Sequence, residues 1–249
     1  MTGQLIGKVA VITGGTSGIG LGIASRFVAE GALVFVAGRR KTQLDATADE
    51  LGSQAVTVQC DVSNMADLDR LYDIVNERAG RIDVLVANAA DPTVAALGDI
   101  TEEHFDASFA ANVKGVVFGV QKAIPLLSSG ASVILIGSTT SVRPDPGLEV
   151  YGATKAAVRN FARSWTVNSK AHDFRVNVLS PGPTRTPALL GLAPVDEQAA
   201  LLDRFATAVP LGRIGDPDEI AAAATFLASD AAGYVNGAEW FIDGGYAQV

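Results

Sequence analysis

The 249-residue chain is short of the groups that cross-link proteins or bind metals. It has one cysteine, Cys60, so no disulfide can form within it. Its two histidines, His104 and His172, lie far apart, so no His/Cys metal cluster is expected and no metal is assigned. Cations are also scarce: 19 Lys and Arg stand against 27 Asp and Glu, a net charge of −8. A phosphate backbone needs a basic surface, so nucleic acid is a poor partner. No apolar run of about 18 residues goes without polar interruption, so no membrane span is expected. The segment Met1–Lys8 has no basic region leading into an apolar stretch. A signal peptide is therefore not supported, and the cytoplasm is the expected compartment. What remains is a well-buried globular composition, 48% apolar and 18% charged.

Short apolar runs alternate with helical patterns. Strands are expected at Lys8–Thr13, Ala32–Ala37, Ala55–Gln59, Asp83–Val86, Ser132–Ile136, Arg175–Leu179 and Glu239–Ile242. Helices are expected near Gly18–Glu30, Thr42–Leu51, Met65–Arg78, within Glu102–Leu127, and near Val150–Ala171. Continuous β-branched strands separated by helices imply a parallel sheet covered on both faces. Right-handed crossovers make it a Rossmann-type, doubly wound α/β sheet of about seven strands, flanked by helices. No linker divides the series, so residues 1–249 read as a single domain. Only Pro181–Gly215 breaks the rhythm, and a substrate loop is expected at about 183–212.

Thr13-Gly14-Gly15-Thr16-Ser17-Gly18-Ile19-Gly20 joins the first strand to a helix. Glycines permit a sharp turn and close backbone approach. The helix start offers unpaired N–H groups and a positive dipole end to a pyrophosphate. The second strand ends Ala37-Gly38-Arg39-Arg40, with two cations and no acid. An Arg fork suits the 2′-phosphate of NADP; a solvated basic helix start is the plainer alternative. Asp61 could accept from an adenine amino group or cap the next turn. Asn88-Ala89-Ala90 would let a ligand pass close. "YGATK" places Tyr151 and Lys155 on one helical face, Ser138 ends the fifth strand, and Asn112 sits unusually inside a helix. These groups converge on the carboxyl edge of the sheet, where such folds bind ligands.

Together these motifs, in this order and over the whole chain, resemble the short-chain dehydrogenase/reductase family. Pro181-Gly182 and the thirteen-residue step from Ser138 to Tyr151 belong to the same pattern. Ala90 departs from the family's usual Gly, and Pro183 is a mild variation. The resemblance implies an oxidoreductase that interconverts a ketone or aldehyde and an alcohol with NADP(H). It implies cofactor contacts from the turn (Gly14, Thr16, Ser17, Gly18, Ile19, Gly20), from Arg39 and Arg40, and from Asp61 and Val62. Asn88 and Ala89, Tyr151 and Lys155, and Pro181, Gly182, Thr184 and Thr186 complete that set. Tyr151 is implied as acid/base and Ser138 as the partner of the substrate oxygen. Lys155 is implied to lower the Tyr151 pKa and hold the nicotinamide ribose, and Asn112 to hold a water that links Lys155 to solvent. A 3-oxoacyl thioester reductase and a non-catalytic nucleotide sensor are the alternatives. The small-molecule partner would be a free carbonyl or alcohol, and the assembly a homotetramer.

Overall fold

Seven apolar runs become the strands of one sheet in a computed structural model that describes residues 3–249. They are β1 (Val9–Thr13), β2 (Leu33–Gly38), β3 (Ala55–Gln59), β4 (Ile82–Ala87), β5 (Leu127–Ile136), β6 (Phe174–Pro181) and β7 (Glu239–Ile242). Their order is β3-β2-β1-β4-β5-β6-β7, and every neighbouring pair is parallel. The order reverses between β1 and β4, and the carboxyl ends of those two strands open the crevice in which doubly wound sheets bind ligands.

The pleat of β1 shows how the layers form. Val9 and Val11 enter one core with Leu68, Leu71, Val116 and Val158. Ala10 and Ile12 enter the other with Ile23, Phe27, Ile220 and Leu227. The first set comes from α3 (Met65–Ala79), α5 (Gly115–Ala123) and α6 (Glu149–His172), the second from α1 (Gly18–Ala29) and α9 (Pro217–Ala228). α2 (Lys41–Leu51) links β2 to β3, and α4 (Glu102–Phe109) precedes α5. α7 (Pro187–Leu190) and α8 (Gln198–Ala208) stand between β6 and α9. Among the described residues, no helix is long and apolar enough to cross a membrane.

Three expectations change. The helix expected within Glu102–Leu127 is broken by a π turn at Ala110–Lys114 and ends in a short 3₁₀ turn containing Pro125. β5 begins at Leu127 rather than Ser132, with a register shift against β4 between Ile82 and Val84. α9 was not expected, yet it covers one face of the sheet beside α1. Its start carries a signal: Asp216 and Glu219 form a reciprocal capping box around Pro217. A Cβ on Gly22 would lie 2.9 Å from the Cβ of Pro217, so the absent side chain lets α1 and α9 cross closely.

Candidate active site

The glycine turn is fixed from below. Asn88 Nδ2 donates to the carbonyls of Thr13 (3.0 Å) and Gly14 (2.9 Å). The backbone N–H groups of Asn88 and Ala89 donate to Thr13 Oγ1. Gly14 and Gly18 have φ of 65° and 53°, a region other residues resist. A Cβ on Gly20 would meet Gly14 O at 2.3 Å, so Gly20 serves the turn's own closure. Ser17, the residue before α1, makes no side-chain cap, and no acid lies in the first turn. The leading N–H groups are therefore left for an anion.

The end of β2 forms the next wall. A Cβ on Gly38 would sit 2.8 Å from Thr16 Cγ2, so an acidic side chain there would displace Thr16. Arg39 and Arg40 are exposed, and neither enters an ion pair among the described residues. Both border a cleft with Gly14, Thr16, Ser17, Asp61, Val62 and Ala89. Asp61 Oδ1 accepts from Ser63 N and Oγ, closing the turn ahead of α3, while Asn64 caps that helix. Cys60 also reaches this cleft; burial pushes its thiol up to about 12, which suits a packing role.

A second cleft meets the first at Ala90. It is lined by Ser138, Tyr151 and Lys155, with Ile19, Asn88, Pro181, Gly182, Thr184 and Thr186. Thr140 N and Oγ1 donate to Ser138 Oγ at 3.2 and 2.9 Å, which leaves the Ser138 O–H free to donate into the cleft. The first turn of α6 packs tightly here: a Cβ on Gly152 would lie 2.9 Å from Thr140 O. Lys155 is 2% exposed, and its Nζ donates to Ile136 O at 2.7 Å and lies 5.4 Å from the Tyr151 ring centroid. Thr186 caps α7 by accepting from Leu189 N.

The surroundings of Tyr151, Lys155 and Asn112 bear on their implied roles. In the protein alone, burial pushes the Tyr151 phenol up to about 12, opposed only by a hydrogen bond with Ser138. Burial also lowers Lys155 to about 8. Burial is the leading cause for both groups, because both sit in the same dry cleft. Asn112 is wholly buried and borders neither cleft. The π turn aims its side chain at the loop after β4. Nδ2 donates to Asp91 O (3.0 Å) and Thr154 Oγ1 (3.1 Å), and Oδ1 accepts from Asp91 N (2.6 Å). Thr154 Oγ1 in turn donates to Tyr151 O. Asn112 thus ties Asp91, in the loop after β4, to Thr154 of α6, and its side chain makes no hydrogen bond to Lys155.

The second cleft has further walls that no motif announced: Asp145, Leu148, Phe205 and Tyr246. Tyr246 lies about a hundred positions from Asp145 in sequence, yet its hydroxyl donates to Asp145 Oδ1 at 3.1 Å. A Pro144-Asp145-Pro146 triplet was the available signal, since adjacent prolines stiffen whatever they flank.

A glycine turn, a crevice at the sheet's reversal point and a Ser–Tyr–Lys cleft beside it define a class. The chain belongs to the short-chain dehydrogenase/reductase family, and it is a nicotinamide-dependent oxidoreductase. The matching family model, described as enoyl-(acyl carrier protein) reductase, covers residues 14–247. The chain is 44% identical over 248 residues to an oxidoreductase of Sarocladium schorii, covering 99% of this chain and 98% of that one. It is 37% identical over 253 residues to an NADP-dependent (R)-specific alcohol dehydrogenase of Lentilactobacillus kefiri, covering 99% of each. Among solved structures, a short-chain dehydrogenase/reductase of Brucella melitensis described as a glucose/ribitol dehydrogenase matches with a TM-score of 0.92, at 31% identity over 99% of each chain.

Proposed function

We propose that the protein is an NADPH-dependent reductase of ketones or aldehydes, running in reverse as an alcohol dehydrogenase. The observation that carries the cofactor assignment is the end of β2. Gly38 stands where an acid would bind a ribose 2′-hydroxyl, a side chain there would have to displace Thr16, and Arg39 beside it lacks an ion-pair partner among the described residues. Arg39 forks onto the 2′-phosphate and Arg40 is its neighbour in that contact. Gly14, Thr16, Ser17, Gly18 and Ile19 receive the pyrophosphate at the uncapped start of α1, and Gly20 keeps that turn closed. Asp61 and Val62 border the adenine, Asn88 and Ala89 the ribose. Pro181, Gly182, Thr184 and Thr186 frame the nicotinamide. The NADP-dependent relative from Lentilactobacillus kefiri supports this assignment.

The bound cofactor supplies or takes up a hydride at the carbonyl carbon. Every other step falls to the chain. Ser138, which lines the cleft beside Tyr151, donates to the substrate oxygen where charge develops. Tyr151 keeps its proton through neutral pH because burial holds its pKa up, so it stands ready as the acid for reduction. Lys155 holds the ribose and contributes positive charge once the cleft fills. Asn112 positions: it locks Asp91, in the loop after β4, against Thr154 of α6. The segment Pro187–Val209, with Leu189 and Leu192 on the cleft wall, closes over substrate and sheds water.

An acyl-carrier 3-oxoacyl reductase is the second reading, supported by 35% identity over 247 residues to a 3-oxoacyl-[acyl-carrier-protein] reductase of Thermotoga maritima. Carrier proteins are acidic, and a chain of net charge −8 offers them little attraction. Comparing turnover of a free ketone with that of a carrier-bound 3-oxoacyl thioester separates the two. We also propose a cytoplasmic homotetramer. A lone buried cysteine suits a reducing compartment. Val167 (83% exposed), Leu97 (85%) and the exposed Phe105 stacked on Phe109 are apolar surface that subunit contacts would cover. Light scattering that gave only a 25.7 kDa species would refute the tetramer.

A further inference from the structure

We propose that Asp145 selects carbonyl substrates that carry a hydrogen-bond donor, a hydroxyl or an amine, away from the carbonyl, and that it rejects carboxylates. This rests on the reductase reading and names the substrate class of that same cleft.

Asp145 shares the cleft with Ser138 and Tyr151, while Leu148, Leu189, Leu192 and Phe205 make much of the remaining wall apolar. Asp145 is only partly buried, and a substrate seated among these walls displaces water from its carboxylate, which then needs hydrogen-bond donors. Its Oδ1 has one, the Tyr246 hydroxyl at 3.1 Å. Its Oδ2 has neither a hydrogen-bond nor an ion-pair partner among the described residues. The nearby Arg143 does not serve: its guanidinium lies 3.7 Å over the Tyr246 ring and donates to the Tyr246 carbonyl.

The carboxylate is also held in place. Tyr246 is 3% exposed, meets Phe205 edge-on at 6.3 Å, and has its N–H bound to Asp243 O at 3.1 Å. Pro144 and Pro146 restrict the backbone on either side of Asp145, and Leu148 N donates to Asp145 O at 3.1 Å. A fixed, acceptor-only group with an open lone-pair side is completed by a substrate O–H or N–H. A methyl leaves it unsatisfied, and a carboxylate meets like charge.

The test uses acetophenones bearing a methyl, hydroxymethyl or carboxylate group at the para or meta position, with NADPH. In the wild type, kcat/KM should favour hydroxymethyl over methyl by about ten- to hundredfold at one of the two positions, the worth of a hydrogen bond to a charged group. The carboxylate should be the poorest. Asp145→Leu should bring the hydroxymethyl-to-methyl ratio near unity. Asp145→Asn should keep part of that ratio and shrink the carboxylate penalty by about tenfold. Ratios within one enzyme do not depend on how much of a variant folds, so a merely structural role for Asp145 would leave them unmoved. Unchanged ratios in both variants, with reduction still running, overturn the proposal alone. Failure of the wild type to reduce any of these ketones with either cofactor overturns the reductase reading, and this proposal with it.

Discussion

Lys155 should make the cofactor-free protein more stable at alkaline pH, and the size follows from its burial. At 2% exposure the ammonium loses its hydration, and its pKa falls from 10.5 to about 8. Between those values the unfolded chain binds more protons than the folded one, so stability rises with pH. The penalty is full below about pH 8 and gone above the unfolded pKa. A shift of this size corresponds to roughly 3 kcal/mol. About 2 kcal/mol of it should be recovered between roughly pH 7 and pH 9.5. Tyr151 acts in a separate window. Its folded pKa is raised to about 12, so the stability it contributes is lost only as pH climbs beyond its unfolded value near 10. Urea unfolding at matched protein concentration, without cofactor, should show wild-type stability gaining on Lys155→Met by about 2 kcal/mol across that range. Parallel pH profiles for the two proteins would show that Lys155 is solvated, and would remove the desolvation account of the site.

Tyr151→Phe should lower kcat by about 10²–10⁴-fold or more while leaving cofactor affinity nearly intact, since the ring stays and the proton donor goes; a variant with a tenth of the wild-type rate would exclude Tyr151 from proton transfer. Arg39→Ala should raise the Michaelis constant for NADPH by about 10–150-fold and hardly move that for NADH, the value of one charge-assisted hydrogen bond. Asn112→Ala should cost about 2–3 kcal/mol in urea unfolding, because it strands buried groups at Asp91 and Thr154; a loss of activity with unchanged stability would point to direct chemistry instead. Leu189→Ala or Leu192→Ala should shift the ranking of large against small ketones, and an unchanged ranking for both would take the Pro187–Val209 segment off the cleft wall.

What was legible in the sequence was what periodicity and turn chemistry carry. The strands, apart from the early start of β5 at Leu127, and the glycine turn lie where the apolar runs and glycines put them, because strand interiors and sharp turns tolerate few residue types. Ser138, Tyr151 and Lys155 share a cleft because one is a strand end and the others are spaced by a helical turn. α9 was missed because an Ala-rich helix buried along one side lacks a strong polar face; the Asp216-Pro217 start and Glu219 were its only punctuation. The π turn at Asn112 left no mark beyond a poor helix former in mid-helix. The Tyr246–Asp145 contact joins distant segments through side chains alone, which no local pattern encodes. The direction of the Tyr151 pKa in the cofactor-free protein was not legible for an energetic reason: spacing reveals a neighbouring charge, and only the packed structure reveals how dry the cleft is.

The chemistry proposed for the cleft is an NADPH-linked carbonyl reduction. It is tested most directly by measuring kcat/KM for NADPH and for NADH on one ketone that the wild-type protein turns over, at one pH and salt concentration. NADPH should be favoured by about 10-fold or more, the minimum that one Arg–phosphate contact supplies. Equal efficiency with the two cofactors, or a preference for NADH, would contradict it.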